Sequence, residues 1–489
     1  MTKLVTLDLS MLYYRRVRSL KLEKPNLATL VQSLTQLREL RLDGVNISAN
    51  GNEWCQALSS SLPNLQVLSL SDCSLSGPID PSLAKLQSLS VISMGGNNLS
   101  APVPEFFANF SNLRILLLSD CNLQGTFPPK VFQVSTLEIL DLSYNQELRG
   151  YMPDHLQNAS LKTLVLSYTK FSGTLPDSIG QFPNISGASS SSLDTLDLSS
   201  NKLEGHIPRW VFNISRLNVL LLSSNKFSGT IKLCWIQKLH KLTTLNLSHN
   251  KLTVIANFTL HSLPQMTTIK LASCNLRVFP DLRNQSKLVF LDLSDNQING
   301  KVPRWIGEVG SGTLLSLNLS QNLLVSLPEP LSLPTSLAIL DLHNNVLQGN
   351  VPLLPPSVTY VDWSNNNFTS SIPPDIGKSL SFTIFFSLSK TGIVGVIPDS
   401  ICKASFLQVL DLSHNSLSGT IPPCLIERSE TLGVLNLRRN KFKGNIPDKF
   451  PRTCELKTLD LNGNLLEGKL PKSLANCTTL EVLDLGTIK

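Results

Sequence analysis

A chain of 489 residues that is 42% hydrophobic but only 6% aromatic must fill its interior with leucine and other branched aliphatics rather than with rings. The formal charge of +7 is modest for this length. Its local excesses, Arg15–Lys24 and Arg438–Lys457, lack interleaved aromatic residues, which argues against a nucleic-acid-binding protein.

The chain begins inside a pattern. MTKLVTLDLS already carries framework leucines at Leu4, Leu7 and Leu9, with neither the charged start nor the apolar run of a secretory leader. A longer connection, 10–36, follows, in which Asn26–Leu34 reads as one or two helical turns. From there the pattern L-x-x-L-x-L-S-x-N-x-L-x-G-x-I-P recurs about every 24 residues, roughly twenty times in all. LEILDLSYNQELRGYMP from Leu137, LDTLDLSSNKLEGHIP from Leu193, LQVLDLSHNSLSGTIP from Leu407 and LKTLDLNGNLLEGKLP from Leu456 are clear copies. Between Pro176 and Leu193 one unit lengthens, and 186–192 (SGASSSS) reads as a mobile loop on the convex side. The most apolar short stretch, Phe382–Leu388, is far below the ~20 residues that span a bilayer. The last copy, from Leu480, stops before its asparagine. Both ends therefore read as cut from a longer protein, since a solenoid needs polar caps.

Within each unit the L-x-L segment predicts a short strand with both leucines inward and the residue between them outward. Stacked units then give an α/β leucine-rich repeat solenoid, a horseshoe or superhelix with a parallel concave β-sheet, as one domain over 1–489. The asparagine after the strand turns the chain and can bond backbone groups left unpaired by the bend. It stands at Asn97, Asn145, Asn201, Asn225, Asn250, Asn296, Asn322, Asn345, Asn366, Asn415, Asn440 and Asn464. Cys73, Cys121 and Cys274 fill the same slot, and Thr169 and Thr391 fill it less well. The glycine and the Ile-Pro pair are expected to shape a second turn before a short helical or irregular segment.

Enzymatic chemistry finds no pattern: there is no CxxC, HExxH, GxSxG or phosphate loop, and no cofactor or metal is expected. The row Asp141, Asp197, Asp292, Asp341, Asp362, Asp411, Asp460 and Asp484 is a framework choice, and His249, His343 and His414 read as solvated. Candidate ligand contacts are outward residues with large or charged side chains. Tyr144 and Tyr168 lie in adjacent units just before the asparagine slot, Phe290, Tyr360 and Phe385 at variable strand positions, and Arg438 and Arg439 form a basic spot.

Twelve Asn-x-Ser/Thr sequons occur, at Asn46, Asn98, Asn109, Asn158, Asn184, Asn213, Asn246, Asn257, Asn284, Asn318, Asn367 and Asn476. Several stand where the framework does not demand them, pointing to a secreted glycoprotein. Among nine cysteines, Cys402 with Cys424 and Cys454 with Cys477 are one repeat apart, so stacked units bring each pair within disulfide reach. Cys55 and Cys234 have no evident partner.

The G-x-I-P ending joined to L-x-x-L-x-L-S-x-N-x-L resembles the plant-specific class of extracellular leucine-rich repeats. Glu53–Ile79 and Asn476–Gly486 are similar to receptor-like proteins of plant immunity, nearest to the Verticillium wilt resistance receptors. That resemblance implies an extracellular ectodomain held at the cell membrane by a segment missing from this chain. It also implies recognition of peptide or protein ligands and signalling through partner receptor kinases acting as co-receptors. Two other readings share the repeat: a secreted inhibitor of microbial cell-wall hydrolases such as polygalacturonases, and the ectodomain of a receptor kinase.

Overall fold

The computed structural model describes residues 2–11, 20–153, 160–177, 192–256, 263–329, 331–428 and 430–486. It divides into two compact units, Met1–Thr253 and Val254–Lys489. The 186–192 segment, apart from Ser192, and part of the 10–36 connection lie outside the described residues, as do Asn158, Asn184 and Asn257. The Asn26–Leu34 reading is met by a helix at Leu27–Val31, where the Asn26 side chain caps Thr29 N–H.

In the first unit, parallel strands run from Thr6–Asp8 and Glu39–Arg41 through Val67–Ser69, Val91–Ser93, Ile115–Leu117, Ile139–Asp141 and Thr163–Val165 to Thr195–Asp197, Val219–Leu221 and Thr244–Asn246. In the second, they run from Thr268–Lys270 and Phe290–Asp292 through Ser316–Asn318, Ile339–Asp341, Tyr360–Asp362 and Phe385–Ser387 to Val409–Asp411, Val434–Asn436, Thr458–Asp460 and Val482–Asp484. Register is constant: each strand's central apolar residue pairs with the next, as Leu140 with Leu164 and Leu340 with Val361. That constancy follows from the alternation, because a one-residue slip would turn the leucines out to solvent. Leu140, Leu142, Leu410 and Leu412 are fully buried, each contributing on the order of 2 kcal/mol through apolar burial.

The glycine region differs from the expected turn. It forms a second parallel ladder: Gln124–Thr126, Glu147–Tyr151, Lys170–Thr174, Lys202–His206 and Lys226–Lys232 in the first unit. Val394–Val396, Ser416–Gly419, Lys441–Gly444 and Leu465–Leu466 form its counterpart in the second. Gly205 (φ 79°) and Gly419 (φ 83°) sit in this ladder with left-handed backbone, and a Cβ on either would press on Thr174 or Val396 of the neighbouring coil. The Ile is buried, as at Ile207 and Ile421, and the Pro fixes the entry to a short 3-10 helix such as Arg209–Asn213. One coil instead carries an eleven-residue α-helix, Gly51–Ser61, whose Trp54, Cys55 and Leu58 are buried.

The asparagine slot is what ties coil to coil. Asn145 Nδ2 donates to the carbonyls of Leu118 (2.8 Å) in the preceding coil and Leu142 (2.8 Å) in its own, and Oδ1 accepts from Cys121 N–H (3.1 Å) and Leu123 N–H (2.8 Å). Asn97 and Asn296 bond in the same way, and Asn440 makes the same two carbonyl bonds while its Oδ1 accepts from Leu417 N–H. A backbone that turns after three strand residues would otherwise leave these groups buried and unpaired. Cys121 donates to Met94 O, and Thr169 to Leu166 O and Asn201 Oδ1; each reaches fewer groups than an amide.

The two expected disulfides are present, Cys402–Cys424 and Cys454–Cys477. Cys55, Cys73, Cys121 and Cys274 are buried thiols pushed up to about 12, in each case chiefly by burial.

Candidate ligand-binding surface

The strand face is built from three rows of side chains that repeat from coil to coil. The first residue of each strand and the residue after the central leucine point outward. The third row is the residue just before the asparagine slot, and it carries left-handed backbone: Tyr144 (φ 58°), Tyr168 (φ 56°), Ser200 (φ 54°), His249 (φ 56°), Lys390 (φ 53°), His414 (φ 56°) and Arg439 (φ 51°). Glycine takes the slot at Gly96 (φ 72°) and Gly463 (φ 73°). Non-glycine residues pay for this geometry at about 1–2 kcal/mol each, and the asparagine bonds beneath hold them to it.

In the first unit this row brings Tyr144 and Tyr168 together, 55% and 46% exposed. Their rings stack with centroids 4.7 Å apart and planes 8° apart. Beside them Lys170 bonds Glu147 at 2.5 Å, on the second ladder.

In the second unit the first strand row reads Phe290, Ser316, Ile339, Tyr360, Phe385, Val409, Val434 across consecutive strands. Tyr360 and Phe385 stack at 4.5 Å with planes 12° apart. Phe290 is 41% exposed and pairs in register with Thr268 and Ser316, so it has no ring partner on either neighbouring strand. The row beside it reads Asp292, Asn318, Asp341, Asp362, Ser387, Asp411, Asn436. The framework reading of these aspartates has a geometric basis. Asp141, Asp292, Asp362 and Asp411 each accept the backbone N–H two residues on, at 2.9–3.0 Å, which braces the turn.

Asp341 makes the same bond, accepting His343 N–H at 3.1 Å, and adds a second contact. Its Oδ1 lies 2.6 Å from His343 Nδ1, and one ligand-type atom each of Asp341, His343 and Asp362 falls within 4.8 Å of the others. Burial raises the Asp341 carboxyl above the ordinary range, opposed by its bonds to His343. Burial together with the charges of Asp362 and Asp341 pushes the Tyr360 phenol up to about 12. The solvated reading of His343 is thus corrected: its side chain is largely covered and bonded to Asp341.

His414 is corrected as well. Its Nδ1 is buried without a hydrogen-bond partner. Burial lowers its imidazole, with Arg439, Lys390 and Arg438 adding repulsion and Asp411 opposing them. His249 is exposed, as expected. Of the basic pair, Arg438 is engaged with Asp460 (3.4 Å) and Asp484 (3.2 Å), leaving Arg439 in the left-handed row.

Sequence reasoning passed over one aromatic pair. Phe382 and Phe406, 58% and 56% exposed, stack at 6.0 Å. Each stands one residue before the first framework position of its coil (Thr383 and Leu407), in register, so the repeat alignment carried the signal. Among the sequons, Asn98, Asn109, Asn213, Asn284 and Asn367 are exposed. Asn246 and Asn318 stand on the strand face, and their Oδ1 atoms accept from Ser248 and Ser320 N–H.

Parallel strands in constant register, an asparagine ladder and a glycine-dependent second ladder define a leucine-rich repeat solenoid. The leucine-rich repeat family matches residues 230–276, 240–298 and, in single units, 64–86, 112–133, 160–182, 192–214, 357–379, 406–427 and 455–477. The ectodomain of the Arabidopsis receptor kinase HAESA, solved with an N-terminally extended IDA peptide hormone, is 31% identical with a TM-score of 0.78, covering 94% of this chain and 75% of that one. The PEPR1–AtPEP1 structure is 28% identical with a TM-score of 0.73, covering 100% of this chain and 69% of that one. Receptor-like protein 54 of Arabidopsis thaliana is 33% identical over 225 residues, 45% of this chain and 27% of its own length. Receptor like protein 22 of the same plant is 36% identical over 191 residues, 38% and 24% of the two lengths. The chain belongs to the plant leucine-rich repeat receptor-like family. The match spans about a quarter of the length of those curated relatives.

Among the described residues no helix is long and apolar enough to cross a membrane.

Proposed function

We propose that residues 1–489 belong to one ligand-recognising ectodomain of a plant cell-surface receptor, within the Verticillium wilt resistance-like group, that binds a peptide or protein on its strand face. It has no enzymatic role and acts through partner receptor kinases, held at the membrane by a segment outside this sequence. The observation that carries the reading is the pair of ring stacks on strand faces that the framework leaves free, Tyr144–Tyr168, which is exposed, and Tyr360–Phe385, which is half-buried. Rigid aromatic surface with a polar tip is what interfaces favour as anchors. The HAESA relative has been solved with the peptide hormone IDA and the co-receptor SERK1, which supports the same two kinds of partner here. A ligand that touches both receptor and kinase raises their mutual affinity by the coupling between the two sites.

The test is to express the chain behind a secretory leader in plant cells and assay the secreted glycoprotein for peptide-dependent association with receptor-kinase ectodomains. Association that depends on added peptide and falls on Tyr168→Gly and Tyr360→Leu is the expected result. Retention as an unglycosylated cytosolic protein, or kinase association indifferent to peptide and to both variants, would overturn it.

A further inference from the structure

The Tyr360 coil and its neighbours combine two features found together nowhere else among the described strands. One is an apolar row, Ile339, Tyr360, Phe385 and Val409, in unbroken register. The other is the carboxylate pair Asp341 and Asp362 in the next row, clustered with His343. The side chain that satisfies both is long, apolar along its stem and cationic at its tip. Such stems lie along apolar surface while the head group seeks water or a carboxylate. A guanidinium matches two nearby carboxylates better than an ammonium because it offers paired donors in a plane.

We propose that this patch is a subsite for a basic residue, preferentially arginine, of an extended peptide: the stem lies along the Tyr360–Phe385 stack and the head group bonds Asp341 and Asp362. The inference rests on the ligand-binding reading above and gives it a chemistry. Burial supports it, because Asp341 is a covered carboxylate whose bonds from His343 N–H and Nδ1 both fall on Oδ1, and it gains from an incoming cation. The local charges agree. The cations Lys390 and Arg439 stand in the left-handed row of the following coils, at the far end of the strands from the Tyr360 ring, and so set a direction across the face for a ligand that carries both signs.

A phage-displayed library of random twelve-residue peptides, selected on the intact secreted chain with and without a chelator, tests this. Enrichment of Arg over Lys and over neutral residues is expected, in clones that bind Asp341→Asn/Asp362→Asn about tenfold or more weakly. Tyr360→Leu, which keeps the apolar row but removes ring and hydroxyl, should weaken the same clones and guards against misfolding of the double variant. Asp292→Asn, outside the patch, should leave binding unchanged. Enriched clones without basic residues, clones indifferent to the double variant, or binding abolished by the chelator would overturn the cationic subsite and leave the ligand-binding reading standing. A selection that enriches no specific clone overturns both.

Discussion

The rings of Tyr144 and Tyr168 lie parallel, 4.7 Å apart, although each residue holds a backbone conformation that tyrosine seldom adopts. The stack is worth about 0.5–1.5 kcal/mol, and left-handed strain works against it by a similar amount. Replacing Tyr168 by glycine should therefore leave stability within about 1 kcal/mol of the parent, the relief of strain offsetting the lost stack and the freer unfolded chain. Tyr168→Val should destabilise by about 2 kcal/mol, since a branched side chain fits that φ worst. Denaturant midpoints of the two variants check this, and a glycine variant that unfolds as easily as the valine one would show that the stack dominates.

Asn145 serves two coils at once, so its loss should be felt in both. Asn145→Ala leaves the buried N–H groups of Cys121 and Leu123 and the carbonyl of Leu118 without the side chain that served them. At about 1–3 kcal/mol for each buried group left unpaired, a loss of about 3 kcal/mol is expected after local relaxation. Hydrogen exchange should accelerate at the amides of Cys121 and Leu123 and stay unchanged around Asn440, which keeps its own bonds.

The disulfides close loops of 22 and 23 residues in the second unit. Each constrains the unfolded chain by about 3 kcal/mol in the loop-entropy account. Cys402→Ser/Cys424→Ser should lower the resistance of residues 390–486 to proteolysis while cleavage rates in 20–153 stay the same. Equal sensitisation of both regions would mean that the bridge stabilises far more than the coils it joins.

Asp341 gives a pH dependence with a definite sign. Its carboxyl is raised above 3.8, so the folded state binds its proton more tightly than the unfolded state does. The fold's disadvantage is absent below 3.8 and sets in as pH rises from there through the raised value. Asp341→Asn should thus match or exceed the parent in stability at pH 7, with the difference vanishing towards pH 3. A variant weaker than the parent at pH 7 would place the His343 bond above burial in importance.

Sugars should divide by position. Asn109, Asn213 and Asn284 are exposed on or beside the short segments opposite the strands, whereas Asn246 and Asn318 use their side chains to brace strand-face turns. Asn246 also donates Nδ2 to Ser223 Oγ, a bond that a linked glycan would disturb. Glycopeptide mapping of the folded, secreted chain should find the first three occupied and the last two bare.

The framework was legible because it is periodic. Leucines three and five residues apart, the asparagine slot and the one-repeat cysteine spacing each translate directly into a stacked neighbour, and the strands, the ladder and both disulfides follow. The second β ladder was not legible as such, since the glycines that mark it also serve turns, and only stacking turns an extended segment into a paired strand. The candidate surface was visible one residue at a time. Adjacency of Tyr144 and Tyr168 could be read from the repeat, but the Asp341–His343 bond could not, because aspartate in that row usually braces its own turn. Arg438 likewise looked like open positive charge until Asp460 and Asp484, one and two coils away, proved to hold it.

The left-handed slot before each asparagine separates two kinds of inheritance. Its backbone is dictated by the amide beneath, while its side chain is answerable to nothing in the scaffold, as tyrosine, serine, histidine, lysine, arginine and glycine at that one position attest. A lineage can therefore exchange these residues singly, coil by coil, and alter what the surface recognises without reinventing the protein that displays it.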